Sequence, residues 1–186
     1  GEVLAQMAED SANPVTASEL MDRAMARYDS AMLYWRDRLR SRPGDDEAAR
    51  WIGVGTNSKA MALLRVSTPY REAAKRASND RPEEASRLKA SALEQAAKAR
   101  EMASDAVEEF ERLSAAHPEN GQLRRDVFLA HHAVGIAHMT AAQIMESGEG
   151  ARREHEAALA AYRRALEVTE ALACADQHIL IKQATK

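Results

Sequence analysis

The residues of this sequence best suited to chemistry are its histidines, of which His131, His132 and His138 lie within one short segment. Imidazole side chains bind zinc and transfer protons near neutral pH, so these residues, together with His155, are candidates for a metal or acid–base site. His131 and His138 are seven residues apart, which puts them on one side of a helix with the apolar Val134. We therefore predict that they are packed or hydrogen-bonded between helices. A helical-bundle metalloenzyme or small-molecule carrier that uses these histidines is the alternative function.

The motifs that an enzyme of this kind usually carries are missing from the sequence. No glutamate lies three residues before a histidine, as a di-iron bundle requires, and no His-Glu-x-x-His zinc motif occurs. The glycines form neither a phosphate-binding Gly-x-x-x-x-Gly-Lys loop nor a strand-associated Gly-x-Gly-x-x-Gly motif. We accordingly predict a protein that is not an enzyme and that needs no metal or cofactor.

The net charge and the cysteine content limit which classes of partner and which cellular compartment are expected. Lysine and arginine total 26 against 29 acidic residues, a net charge of −3, so we expect no general attraction to nucleic acid or to an anionic membrane. No apolar run approaches the ~18 residues that span a bilayer. The single cysteine, Cys174, cannot form an internal disulfide and is predicted to be a packing residue. A reducing, cytoplasmic location fits best.

Composition and periodicity both indicate helices. The chain has 39 alanines but only 8 glycines and 5 prolines, a balance that favours long helices over turn-rich strands. The longest predicted helix begins near Pro82 and ends at His117-Pro118. Its predicted buried face consists of Leu88, Ala92, Ala96, Ala99, Ala103, Ala106, Phe110 and Leu113.

The other helices are bounded by their capping and breaking residues. A capping box at Thr16 and Glu19 predicts a helix to about Arg42. Pro69 either kinks the following helix or begins a new one. The last helix is predicted from residue 151 to about 176. The predicted buried face of the first of these helices consists of Ala17, Leu20, Ala24, Tyr28, Ala31, Trp35 and Leu39.

The sequence also repeats itself. A shift of 75 residues superposes Pro43 on Pro118 and Asp45 on Asn120, so two interhelical turns carry similar residues in the same order. In the helix that enters each turn, an aromatic residue lies eight positions before the proline. Repeated helix pairs are expected to produce this pattern.

Three helical segments share the spacing of a small residue, an aromatic residue four positions later and a small or apolar residue three beyond. They are Ala24-x-x-x-Tyr28-x-x-Ala31, Ala106-x-x-x-Phe110-x-x-Leu113 and Ala158-x-x-x-Tyr162-x-x-Ala165. With the repeated proline turns, they make the chain similar to the tetratricopeptide repeat family across residues 17–176. The resemblance implies an all-α fold in which antiparallel helix pairs stack into a short right-handed solenoid. An irregular up-down helical bundle is the alternative fold.

The resemblance also implies a binding groove lined by the first helix of each pair. That helix is matched around Val134-Gly135 and, after the 75-residue shift, around Lys59-Ala60. Methionine and aliphatic side chains with a few polar groups suit an amphipathic helix or a short apolar peptide, although some of them are alternatively expected to pack against the neighbouring repeat. The implied groove residues are Val54, Asn57, Met61, Leu64, Arg65, Leu129, His132, Ile136, Met139 and Thr140.

These observations lead to one expected function, a protein–protein interaction module or scaffold. Residues 1–15 are predicted to be a linker or short helix, residues 16–176 the helical repeat domain, and residues 177–186 a capping or docking segment. The expected partner is a protein or peptide, and a second copy of the chain in a homodimer is one possibility. Neither nucleic acid nor a membrane is expected as a partner. Similar repeats occur in larger bacterial regulatory proteins, which the resemblance suggests as the context of this chain.

Overall fold

The computed structural model describes the backbone of residues 1–184 and the side chains of residues 1–170. Across that backbone the chain is all-helical and has no strand, so the predicted all-α class is confirmed. The helices are α1 (Glu2–Glu9), α2 (Pro14–Ser41), α3 (Asp46–Ala77), α4 (Pro82–Ala116), α5 (Gly121–Met145) and α6 (Gly148–Ala184).

Each helix packs against the next one along the chain, because the short connections between them leave little separation. In addition, α1 packs against α3 and α3 packs against α5, whereas no two even-numbered helices pack against each other within the described residues. The odd-numbered helices thus form one continuous layer. Each connection reverses the chain direction, so α1, α3 and α5 run parallel to one another.

The two turns that the 75-residue shift superposes have the same backbone geometry. Arg42 and His117, which precede the prolines, have φ angles of −138° and −131°. Asp45 and Asn120 have φ angles of −80° and −82°. The last two side chains each accept backbone N–H groups of the helix that follows and so cap α3 and α5. The repeated turn predicted from the sequence is therefore confirmed.

Asp45 makes the stability of the first of these turns sensitive to acid. Its Oδ1 accepts the N–H of Ala48 at 3.0 Å and its Oδ2 accepts the Nε–H of Arg38 at 2.6 Å, and these bonds hold the pKa of the carboxyl group below its usual value. A carboxyl group with a lowered pKa stabilises the fold fully above its unfolded-state pKa of about 3.9, and this stabilisation is lost as the pH falls through the folded-state value.

We expect acid to lower the melting temperature of the wild type more than that of Asp45→Asn, because asparagine keeps the cap without the titrating charge. Thermal unfolding followed by circular dichroism at about pH 6 and about pH 3 measures the difference. Asp37→Asn, at an exposed position of α2, is the control and should behave like the wild type. An equal decrease in wild type and Asp45→Asn would contradict the role assigned to this carboxylate.

The start of α2 differs from the prediction. The helix begins at Pro14, and Asn13 is its N-cap, with Oδ1 accepting the N–H of Val15 at 2.9 Å. Proline suits the first position of a helix because its missing N–H has no partner there in any case. The capping box predicted at Thr16 and Glu19 is wrong, since both residues lie inside the helix.

The buried face of α2 is also displaced near its middle. Ala31, predicted to be buried, is exposed, and the neighbouring Met32 is 3% exposed instead. Met32 lies against Gly55 of α3, where a Cβ atom would collide with the methionine sulfur. Gly55 leaves a space that the long side chain of Met32 fills. The small side chain of Ala31 would not fill it.

Two further helices are longer than predicted. Pro69 does not begin a new helix, because α3 continues through it to Ala77. The last helix continues to Ala184, so its predicted end near residue 176 is wrong. The predicted packing of Cys174 and the predicted docking of residues 177–186 concern side chains outside the described residues.

Glycines bring the odd-numbered helices close to aromatic rings of the even-numbered ones. A Cβ atom on Gly53 would lie 2.7 Å from the ring of Phe110, and one on Gly135 would lie 2.5 Å from the ring of Tyr162. Gly53 and Gly135 thus permit close contact within the α3–α4 and α5–α6 pairs. The predicted buried face of α4 is also confirmed, with Leu88 half-buried and the following residues buried: Ala92, Ala96, Ala99, Ala103, Ala106, Phe110 and Leu113.

Candidate functional site

The predicted groove residues of α3 form a stripe along one side of the helix. Val54, Asn57, Met61 and Arg65 are half-buried and recur every three or four residues, the spacing of one helix face. Leu64 is only 6% exposed and belongs to the hydrophobic core. Leu64 therefore faces inward, unlike the other predicted residues of α3.

The predicted residues of α5 lie on the solvent-facing side of that helix. Leu129 is 40% exposed and His132 is exposed. Ile136, Met139 and Thr140 are half-buried, with Ile136 also in contact with the core. The alanines between them are buried: Ala130, Ala133 and Ala137. The helix therefore separates a core-facing alanine side from an open side that carries the predicted residues.

His132 lies between aromatic rings on that open side. Its ring stacks on Phe128 with centroids 6.0 Å apart, and it lies 5.7 Å from the ring of Tyr162 in α6. Burial raises the pKa of the Tyr162 hydroxyl. His132 is thus an exposed imidazole at the edge between α5 and α6, in contact with the rings of Phe128 and Tyr162.

Polar contacts near both ends hold α3 and α5 side by side. Arg50 donates from Nε to Oδ2 of Asp126 at 2.5 Å, and Arg71 donates to Oε1 of Gln143 at 2.7 Å. The first contact joins the beginnings of the two helices and the second joins their later turns, so the helices run in the same direction. The α3 stripe and the α5 stripe consequently lie on neighbouring parallel helices.

A cleft of about 270 Å³ adjoins the α3 stripe on the side of α1 and α2. Arg65 donates to Oε1 of Gln6 at 3.3 Å and lies 3.9 Å from Glu9, so α1 offsets its charge. The Oδ1 atom of Asn57 is buried without a hydrogen-bond partner among the described residues. The cleft is lined by Glu2, Ala5, Tyr28, Asn57, Ser58, Met61, Ala62 and Arg65.

The two histidines that the sequence analysis placed on a packed face bind separate carboxylates. Nε2 of His131 lies 3.0 Å from Oε1 of Glu111 in α4, and Nδ1 of His138 lies 2.5 Å from Oε2 of Glu154 in α6. Their predicted hydrogen bonding between helices is confirmed. Among the described side chains, no group of three or more His, Cys, Asp and Glu residues is placed to hold a metal ion.

A cluster of rings and guanidinium groups at the α2–α3 turn was not predicted from the sequence. Trp35 and Trp51 stack with centroids 5.7 Å apart, Arg38 lies 5.4 Å from the first ring and Arg50 lies 5.1 Å from the second. Arg38 is held in place by its ion pair with Asp45. No periodicity within a single helix could reveal the cluster, because the two rings come from different helices.

Comparison of the chain with family models, with curated proteins and with solved structures gives no match. The protein is therefore classed by its own structure, as an all-α protein with a layer of parallel odd-numbered helices. Among its described helices, none combines the length and the apolar character needed to cross a lipid bilayer.

Proposed function

We propose that this protein is a tetratricopeptide-like interaction module that receives a protein or peptide on the open side of α3 and α5. One observation carries the proposal: within the described residues α1, α3 and α5 pack in succession, and α2, α4 and α6 do not pack on one another. Stacked antiparallel helix pairs produce this pattern. In a closed up-down bundle the first and last helices also meet, whereas the described parts of α1 and α6 do not.

Contacts between the two layers support the same stacking. Phe110 and Tyr162, the aromatic residues of two of the three motif segments, each lie on a glycine of the odd-numbered helix with which their helix pairs. The third segment departs from the motif, since its final residue, Ala31, is exposed. Two of the three helix pairs thus repeat one mode of close packing.

The chemistry of the open side favours an amphipathic helix as the occupant. Met61, Leu129 and Ile136 offer flexible or branched apolar surface, and Arg65 and His132 offer polar groups at its margins. A helix laid against such a surface contacts it through apolar residues three and four apart. Methionine adapts to side chains of different shape, which suits a surface that accepts a peptide.

The double variant Leu129→Glu/His132→Glu tests this surface. Peptides are first selected for binding to the wild type from a phage-display library of helical peptides. They should bind the double variant at least about tenfold more weakly, because its two new carboxylates would be desolvated against the apolar side chains of the peptide. Fluorescence anisotropy with a labelled peptide measures the change. The circular dichroism spectrum should stay that of the wild type, since both side chains are exposed.

Leu159→Glu is the matched control, because Leu159 is 52% exposed on α6 and lies outside the proposed surface. It should bind the selected peptides like the wild type. Peptides that bind the double variant and the wild type equally would remove this surface from the proposal. Sedimentation equilibrium of the same proteins tests a second copy of the chain as the partner.

A further inference from the structure

The first and last helices of the structure carry exposed apolar side chains on sides left open by their neighbours. Among the described residues, α1 packs only against α2 and α3, and α6 packs only against α5. On α1, Val3 is 74% and Met7 is 52% exposed, and on α6, Leu159 is 52% and Leu166 is 55% exposed. Terminal helices of stacked-helix proteins normally have a polar outer face, which keeps these proteins soluble. The two apolar faces are therefore candidates for contact with another protein.

A comparison of α6 with α4 shows which kind of helix fits the open side of α6. Phe110 of α4 and Tyr162 of α6 each lie against a glycine of the preceding odd-numbered helix, so the two helices correspond when these rings are aligned. Three positions before the ring, Val107 of α4 then corresponds to Leu159 of α6. Val107 packs against a cluster formed by α4 and α5 with one residue of α3. The open side of α6 is thus the side on which α4 binds α5, the next odd-numbered helix.

The charge on this side differs between the two helices. One position after the ring, Glu111 of α4 has Oε1 3.0 Å from Nε2 of His131 in α5, whereas the corresponding residue of α6 is Arg163. Arg163 is exposed, and it is the neighbouring Arg164 that binds Glu167. A helix that packs on α6 as α5 packs on α4 should therefore offer a carboxylate here. We call this exposed stripe the α6 end face, and it consists of Leu159, Arg163 and Leu166.

The outer side of α1 matches the α6 end face in spacing and in charge. Val3, Met7 and Asp10 are exposed and lie four and three residues apart, the spacing of one helix face. Asp10 is the C-cap residue and keeps helical backbone angles. Its carboxylate accepts a hydrogen bond from the neutral side chain of Gln6 at 3.1 Å, which leaves the negative charge uncompensated. Each stripe thus has two apolar side chains and one charge, and the two charges are opposite.

We propose that copies of this chain stack head to tail, with α1 of one copy packed on the α6 end face of the next. Asp10 pairs with Arg163, and the apolar side chains of the two stripes cover one another. The incoming α1 then lies beside α5 and α6 as α3 lies beside α1 and α2, so the layer of odd-numbered helices continues from copy to copy. Because the two contacting faces differ, association extends beyond the dimer. The inference rests on the ends of the layer and stands apart from the proposed peptide surface.

Sedimentation velocity of the wild type from about 10 µM to about 1 mM tests the proposal. The weight-average sedimentation coefficient should rise with concentration and pass the value of a dimer. Met7→Lys and Leu159→Glu each bring to one face a charge of the sign that the other face carries, and each should weaken association at least about tenfold. Leu33→Glu, at a 56% exposed position of α2 outside both faces, is the matched control and should associate as the wild type does.

The charge variants Asp10→Arg and Arg163→Asp distinguish head-to-tail stacking from symmetric pairing of one face with itself. Each variant alone brings like charges together and should associate about threefold to tenfold more weakly than the wild type at low salt. An equimolar mixture of the two should largely recover association, because every junction between unlike variants joins opposite charges. Symmetric pairing of either face would leave one of the two variants unaffected.

Three results would overturn the proposal: a wild type that stays monomeric up to about 1 mM, association that stops at the dimer, or unchanged association of either charge variant. Circular dichroism should show that all variants are folded, since every altered side chain is exposed. Leu159→Glu should still bind the peptides selected for the α3–α5 surface. Loss of stacking and loss of peptide binding are thereby distinguished.

Discussion

Replacement of Phe110 by alanine should lower the free energy of unfolding by about 3–5 kcal/mol, the range found for deletion of a buried aromatic side chain. Phe110 is 1% exposed and belongs to a core cluster with Ala49 of α3 and Val127 of α5. Its removal leaves a cavity between α3, α4 and α5. Movement of one of these helices would not be enough to fill that cavity. Urea unfolding followed by circular dichroism measures the loss as a lower midpoint at an unchanged slope.

Tyr34→Ala is the control for this prediction, because Tyr34 is an aromatic residue that is 64% exposed. Its free energy of unfolding should change by no more than about 0.5 kcal/mol. The substitution Gly53→Ala should cost less in the Phe110→Ala background than in the wild type, since the ring that the new Cβ would meet is gone. A loss of under about 1 kcal/mol for Phe110→Ala would show that the ring is not packed as described.

The second large effect is expected for Asp126→Ala, which should cost about 2–3 kcal/mol. The Asp126 side chain is 8% exposed and that of Arg50 15% exposed, with 2.5 Å between the paired atoms. Removal of one partner leaves the other charge poorly solvated, and full burial would make the cost about 3–5 kcal/mol. The remaining exposure of Arg50 reduces that figure. The pair joins α3 to α5, so its loss should also weaken binding of the selected peptides.

Asp37→Ala provides the comparison, because it breaks an ion pair of similar length, 2.6 Å to Arg40, whose side chains are 65% and 77% exposed. This variant should lose less than about 1 kcal/mol. Chemical denaturation of the two variants under identical conditions gives the contrast. Equal losses for Asp126→Ala and Asp37→Ala would mean that burial of the α3–α5 pair adds nothing to stability.

Features set by neighbouring residues in the chain were predicted well. The turns at Pro43 and Pro118 follow from a residue that restricts φ and a side chain that caps the next helix two positions later. The alanine face of α4 follows from the spacing of its small residues. The N-terminal cap of α2 was missed because two capping signals lie close together there, and Asn13 with Pro14 prevails over Thr16 with Glu19.

The groove residues were expected from the resemblance and not from contacts between helices. Leu129 and His132 are exposed on α5, whereas Leu64 of α3 is 6% exposed and lies in the core. On α2, Met32 is buried where Ala31 was predicted to be, because Gly55 of α3 leaves room for the larger side chain. Periodicity within one helix gives the width of a buried face poorly, since the neighbouring helices determine where it ends.

The amino-acid sequence by itself determined that this chain is helical, where most of its turns fall and which alanines face inward, because backbone hydrogen bonding and capping act over a few residues. Only the tertiary structure decided which helices meet. It brought Arg50 to Asp126, divided His131 and His138 between two carboxylates and left a gap between α2 and α4. Those contacts join residues far apart in the chain, and their energy depends on burial and shape, which local sequence does not record.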